Sequence, residues 1–124
     1  MQFHVTVEVA DLQGTRWERV AVLVDTGATY TKIPRELLTH LGITPTHHRD
    51  ATVADGPTIP RDLAEARLRI NNEHLANLVV FGGPGEEPLL GCITLESFSL
   101  GVDPINQRLI PVVARELSQG PPPK

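Results

Sequence analysis

A chain of 124 residues with 40% hydrophobic content has room for one modest core and no second domain of any size. Its formal net charge of -4 and 4% aromatic content provide neither the basic stripe nor the stacking platforms of a nucleic-acid binder. One cysteine, Cys92, excludes an internal disulfide and a cysteine metal cluster, and no apolar run approaches the length of a membrane span.

The N-terminal stretch "MQFHVTVEVADL" lacks a basic segment followed by an apolar one, so the expectation is a cytoplasmic protein. Within it Phe3, Val5, Val7 and Val9 alternate with polar partners, the period of a half-buried strand. "DLQGTRWE" supplies a turn around Gly14, and "RVAVLV" reads as a more buried strand running into Asp25, so the first two strands form a hairpin. "IPRELLTHLGI" predicts a helix, with Pro34 at its first position, Leu37, Leu38 and Leu41 on one face, and Gly42 ending it.

Two strand-like arms follow, turning at Asp55-Gly56 before Pro57. "HLANLVVFG" is a further strand and "GGPGEEP" reads as a flexible, exposed connector. "LLGCITLESFSL" faintly repeats the plan of residues 22–42, apolar residues and a glycine before a helix. "GVDPINQRLIPVV" turns at Asp103-Pro104 and returns as the last strand. The expected organisation is an all-β domain over residues 1–117 with one or two short helices, followed by a disordered Pro-rich tail at 118–124.

The stretch with chemistry in it is "AVLVDTGATYTKIP", residues 21–34. A carboxylate at the end of an apolar strand, turned at once by Gly27, is costly to build unless it is used. One reading takes D-x-G-x-T as a phosphate loop of the actin-like and sugar-kinase kind, but that fold needs two large α/β lobes, for which the chain has neither the length nor the alternation. The second reading is a loop for acid–base hydrolysis. Two adjacent carboxylates cannot both ionise, so one serves as base and the other as acid toward a shared water. Gly27 permits the sharp turn, Thr26 offers a hydroxyl to a partner loop, and Ala28 leaves room at the floor of a cleft.

With "VLVDTGATYTKIP" at 22–34, "ADGP" at 54–57 and "PLLGCITLESF" at 88–98 in that order, the sequence resembles the retroviral-type (retropepsin-like) aspartic peptidases and their single-lobe cellular and bacterial relatives. The resemblance implies a single-lobe acid-protease fold, a closed barrel, acting as a homodimer. The chain carries one Asp-Thr-Gly and the dyad needs two; Asp103-Pro104 lacks the glycine and preceding strand that would make it a substitute. It further implies Asp25, Thr26 and Gly27 as the catalytic loop. Leu23, Ala28, Thr29 and Leu89 would contact substrate, and so would Val53, Ala54, Asp55 and Gly56 of a hairpin closing over an extended peptide. Partners are then a second copy and a peptide or protein substrate, with no nucleic acid, membrane, metal or cofactor.

Three departures stand out. Retroviral members carry an acidic residue after the Ala and an Arg after the later Gly, where this chain has Thr29 and Cys92. The hairpin tip has one glycine. Ala28 also replaces the hydroxyl residue that supports the anion in pepsin-like enzymes, which predicts a less acidic optimum.

Plainer readings remain. Asp25 could cap a local turn, or the fold could serve as a catalytically silent dimerisation or peptide-binding module. His47-His48 with His40 or His74 lacks a completing ligand and reads as solvated loop, and Cys92 reads as a buried small residue. Trp17 and Tyr30 read as packing or cleft-wall residues, and "EARLR" as a solvated strand face.

Overall fold

The computed structural model of the chain describes residues 2–53, 55–114 and 116. The expected tail at 118–124 and Ala54 of the hairpin tip lie outside the described residues. The elements are β1 (His4–Ala10), β2 (Trp17–Val24), β3 (Thr31–Pro34), α1 (Arg35–His40), β4 (His47–Thr52), β5 (Thr58–Ile70), β6 (Glu73–Gly82), β7 (Leu89–Leu90), α2 (Cys92–Ser97), β8 (Leu100–Asp103) and β9 (Arg108–Pro111). Among the described residues no helix is long and apolar enough to cross a membrane.

β1 and β2 form the expected antiparallel hairpin, with Val7 opposite Val20 and Val5 opposite Val22. Its loop is set by Asp11, whose carboxylate accepts the Thr15 N–H and hydroxyl, both at 2.9 Å. Those bonds hold the Asp11 carboxyl below the usual carboxylate range. Gly14 takes a left-handed φ of +68° and donates its N–H to the Asp11 carbonyl at 2.9 Å.

β5 and β6 make the longest hairpin, from Leu63 opposite Val80 to Ile70 opposite Glu73. Its two-residue turn is Asn71-Asn72, both at positive φ (52° and 69°), a conformation that asparagine tolerates and that matches the twist of the flanking strands.

Seven strands join in the order β1-β2-β7-β3-β6-β5-β4, and β1 also pairs β5. That pairing, Glu8 to Ala10 against Arg67 to Arg69, turns the sheet into a ring. The ring is less regular than the closed barrel expected. β7 contributes two residues, parallel to β2 and touching β3 only through Lys32 opposite Leu89, and β4 hangs outside on the first half of β5. β7 is short because Gly91 ends it and α2 begins one residue later.

The core fills the ring and the space beneath α1 and α2. Val7, Val9, Val22, Ile33, Leu38, Leu68, Val79, Phe81 and Leu90 are essentially inaccessible. Each such side chain stabilises the fold by about 1.5–3 kcal/mol relative to exposure. α1 buries Leu38 fully, its C-cap Leu41 is nearly buried, and Gly42 at φ +78° ends it as expected. Pro34, expected as the first helical residue, instead closes the β3–β6 ladder opposite Gly82 and stands as N-cap. Its ψ of 134° is still extended, so the helix starts one residue later.

β8 and β9 form a separate two-stranded sheet, turning at Asp103 as expected. The Asp103 carboxylate gathers Asn106, Ile105 and Arg108, and is held below the usual range chiefly by the Asn106 side chain.

One contact is unusually strict. A Cβ placed on Gly91 would lie 2.4 Å from both the carbonyl carbon and the oxygen of Tyr30. Backbone cannot yield as a flexible side chain can, so Gly91→Ala is expected to lower unfolding free energy by at least about 3 kcal/mol, or to prevent folding. Urea denaturation followed by circular dichroism measures this; a loss under about 1 kcal/mol would contradict the contact.

Candidate active site

Asp25 is the first residue after β2, where the strand's apolar alternation ends and a turn must begin. Its N–H donates to the Leu90 carbonyl at 3.0 Å, continuing the β2–β7 pairing by one bond beyond the strand. The chain then reverses, with the Ala28 N–H reaching back to the Asp25 carbonyl at 3.2 Å. Inside that turn the Gly27 N–H donates to Asp25 Oδ1 at 2.9 Å. A Cβ on Gly27 would lie 3.3 Å from the same oxygen, so the glycine leaves the carboxylate its place. Asp25 is half-buried and Thr26 is exposed beside it.

The turn is held from below by α2. The Ala28 carbonyl accepts the Cys92 N–H at 2.7 Å and the Thr29 carbonyl accepts the Ile93 N–H at 3.0 Å. The opening N–H groups of a helix lack intrahelical partners, and α2 has no side-chain cap, so the turn acts as its cap. Two fully buried hydroxyls complete the join. Thr31 Oγ1 lies 2.6 Å from Thr94 Oγ1 and also accepts the Gly91 N–H at 3.0 Å.

Above the turn lies a groove of about 660 Å³. Asp25, Gly27, Ala28, Thr29, Tyr30 and Lys32 form its floor and one side. Asp50, Ala51, Thr52 and Val53 from the overhanging β4–β5 hairpin form the other, with Arg61, Val80 and Leu89 between. The hairpin is closed by the Val53 N–H to the Pro57 carbonyl at 3.3 Å and the Gly56 N–H to the Val53 carbonyl at 2.9 Å. A smaller hollow of about 200 Å³ beside Asp11 and Gly42 is remote in sequence from this turn and shares no residue with the groove.

The structure thus brings Asp25, Gly27, Ala28, Thr29, Val53 and Leu89 of the sequence candidates to one groove. Leu23 does not line it. It is buried with its neighbours Val22 and Val24, because the last three residues of β2 are covered on both faces of the strand. Asp55 and Gly56 stand exposed at the hairpin tip, outside the lining, with Asp55 at φ 52°. Tyr30 is a cleft-wall residue, as one of its readings had it, while Trp17 packs, giving its indole N–H to the Gly14 carbonyl and its ring face to Arg69 at 3.8 Å.

Sequence reading missed Lys32, Asp50, Ala51, Thr52, Arg61 and Val80. For the hairpin residues a signal was available, since a flap's inner face includes its arms as well as its tip. For Arg61 none was. It pairs with Glu86, 25 positions away, in the "GGPGEEP" stretch expected to be a loose connector. The pair is bidentate, both bonds 2.7 Å, and the Arg61 side chain is only 9% exposed. Glu86 also accepts the Gly83 N–H at 2.6 Å, so the connector is fastened to the groove wall.

The Arg61 bonds pull the Glu86 carboxyl from the usual 4.5 down to about 2, with burial opposing and the Gly83 N–H and the Lys32 charge assisting. The Glu86 contact in turn raises Arg61.

At the hairpin base Asp62 accepts Arg35 of α1 at 2.7 Å and His48 at 2.8 Å, which holds its carboxyl below the usual range, Arg35 first. His48 and His47 lie on β4 and His40 meets Arg16 and Glu18, while His74 faces Trp17 edge-on. Among the described residues no group of three or more His, Cys, Asp or Glu is placed to hold a metal. Cys92, expected buried, is half-exposed; its thiol meets Glu96 at 3.1 Å, and that carboxylate pushes its pKa up and keeps it un-ionised.

A sequence model described as aspartyl protease matches residues 5–96, a span that includes the turn, the hairpin, the groove and most of α2. No curated protein shows significant similarity to the chain.

The pH behaviour of the Arg61–Glu86 pair is open to measurement. The folded pKa of about 2 lies below the ordinary 4.5, so the stabilisation is complete above about pH 4.5 and is lost as pH falls toward 2. Glu86→Gln is expected to lower stability at neutral pH by about 2 kcal/mol, discounted for the partial exposure of Glu86, with the gap closing near pH 2. Denaturant titrations of both proteins across that range provide the check.

Proposed function

This chain belongs to an aspartyl protease family of the retropepsin-like clan, and on that premise we propose that it is an aspartic endopeptidase that works as a homodimer. The observation that carries the reading is a single Asp25, half-buried in a glycine turn and facing a peptide-sized groove under a hairpin. Asp25 and Thr26 lie at an accessible edge of the chain, where a second copy related by a two-fold axis would bring the same turn against them.

In the dimer the two Asp25 carboxyls share one proton, because like charges in contact cannot both ionise. The ionised one takes a proton from a water held between them, and the water oxygen attacks the scissile carbonyl carbon. The protonated one gives its proton to the carbonyl oxygen. The resulting neutral tetrahedral diol then breaks its C–N bond. The protonated carboxyl gives its proton to the leaving nitrogen, while the ionised one takes a proton from a diol hydroxyl as the C=O bond re-forms, which restores the shared proton. No covalent adduct with the chain forms and no metal takes part.

The Gly27 N–H fixes one oxygen of Asp25, leaving the other for water. The hairpin of β4 and β5 lies over the groove, so an extended peptide is gripped between strand edges and read by the walls. Ala28, Thr29, Val53 and Leu89 are the substrate contacts of this reading.

Asp25→Asn is expected to cut hydrolysis of an unfolded protein substrate by roughly a thousandfold while leaving the dimer intact. A statine-type mimic of the tetrahedral intermediate should block the wild type, and the optimum should lie above about pH 3. Kinetics combined with sedimentation equilibrium decide the matter. A strictly monomeric protein, or an Asp25→Asn variant of undiminished activity, would sink the proposal; a dimer that binds peptide and cleaves nothing would make it a silent binding module.

A further inference from the structure

Among the described residues, Lys32 is the groove cation without an ion-pair partner. It lies on β3 between Thr31 and Ile33, both fully buried, so strand alternation turns its side chain to the opposite face, where it lines the groove. Its stem lies across Gly82: a Cβ there would sit 3.1 Å from Lys32 Cγ and 3.5 Å from Cδ, so the glycine makes the bed in which the stem rests. Val80 and Leu89 flank it with apolar surface.

Among the described residues no carboxylate comes within 4.0 Å of the Lys32 ammonium. Glu86 feels its charge, but both Glu86 oxygens are taken by Arg61, and one by Gly83 as well. Arg61 and Glu86 cancel each other, which leaves the Lys32 charge uncompensated on this wall. Among the described residues the one groove carboxylate besides Asp25 is Asp50, on the exposed arm β4, where solvent and salt screen it. An unpaired ammonium on a half-buried side chain beside apolar walls gains from a counter-charge brought close to it.

We propose that Lys32 forms a subsite for an acidic side chain, glutamate or aspartate, of the peptide bound in the groove. The inference rests on the peptidase reading for what becomes of the peptide, though not for its binding. In a symmetric dimer each copy supplies one Lys32, so an acidic residue is favoured on either side of the cleaved bond. The groove then selects by charge at two places and by apolar contact between them.

The test uses peptides derived from one cleavable sequence, in which glutamine at each position flanking the scissile bond is replaced singly by glutamate. Cleavage is measured near pH 6, where glutamate is ionised. At one or two positions the wild type should prefer glutamate by roughly three- to tenfold in kcat/KM. Lys32→Met should erase that preference, Lys32→Arg should keep most of it, and Lys32→Glu should reverse it in favour of lysine-bearing peptides. Thermal melting of each variant establishes that it is folded.

Calorimetric binding of the same peptides to Asp25→Asn separates recognition from hydrolysis. Glutamate-dependent binding lost in a Lys32→Met, Asp25→Asn double variant supports the subsite even if nothing is cleaved, and in that case the peptidase reading alone falls. Equal use of glutamate and glutamine peptides at every position overturns the subsite, as does a preference that survives Lys32→Met; peptidase activity would then stand without it. Failure to bind any of the peptides overturns both.

Discussion

The backbone of Gly91 rests directly on the backbone of Tyr30, and the geometry of the Asp25 turn depends on that contact. It brings together two segments 60 positions apart, and it permits no side chain. From it follow the Gly91 N–H to Thr31 Oγ1, the buried Thr31–Thr94 hydroxyl contact, and the two bonds that tie Ala28 and Thr29 to the first turn of α2. Each partner satisfies a need of the other. The helix has opening N–H groups without acceptors, and the turn has carbonyls without donors. An exposed loop would let Asp25 drift; this one is fixed on three sides, while its carboxylate still faces the groove. Preorganisation of that sort is what acid–base hydrolysis requires, since the reacting oxygens must be in position before substrate arrives.

The groove wall shows a second economy. Charge in a substrate cleft is useful only where it is not already neutralised, and the fold sorts its charges accordingly. Arg61 is nearly buried and fully engaged by Glu86, so it braces the hairpin arm and ties the 83–88 connector to the ring. Lys32, two strands away from β5 across β6, is left to meet what enters. The acid–Arg pair expected beside the Asp25 turn from the retroviral resemblance is absent here, where Thr29 and Cys92 stand. The chain has a bidentate pair beside the groove instead, joining hairpin to connector. The bracing therefore acts on the hairpin that lines the groove.

The hairpin of β4 and β5 is the least buried part of the sheet, with every residue of β4 but Ala51 exposed. Its base is pinned where Asp62 meets Arg35 and His48. Its tip is held by two backbone bonds and by the Thr52–Thr58 hydroxyl contact of 3.1 Å. An arm with a fixed base and an exposed tip contributes few apolar contacts to the core, the kind of segment that can open locally without unfolding the rest.

What the sequence determined by itself is the set of features written within a few neighbouring residues. The apolar run of β2 ending at Asp25, the glycine turn after it, the β1–β2 and β4–β5 hairpins, the helix ended by Gly42, and the glycine before α2 all follow from periodicity and turn chemistry, which act over short spans of chain. The family resemblance lay in the order of those same pieces, and the aspartyl protease match over residues 5–96 agrees with it. Tertiary structure alone decided which side chains meet. Arg61 finds Glu86 across 25 positions and Thr31 finds Thr94 across 63. Leu23 turns inward while Lys32 turns to the groove, and the sheet closes as a ring through three residues of β1 and β5. Such choices depend on how twisted strands dock in space, and a side chain's sequence neighbours carry no record of the surface it will face once the sheet has closed.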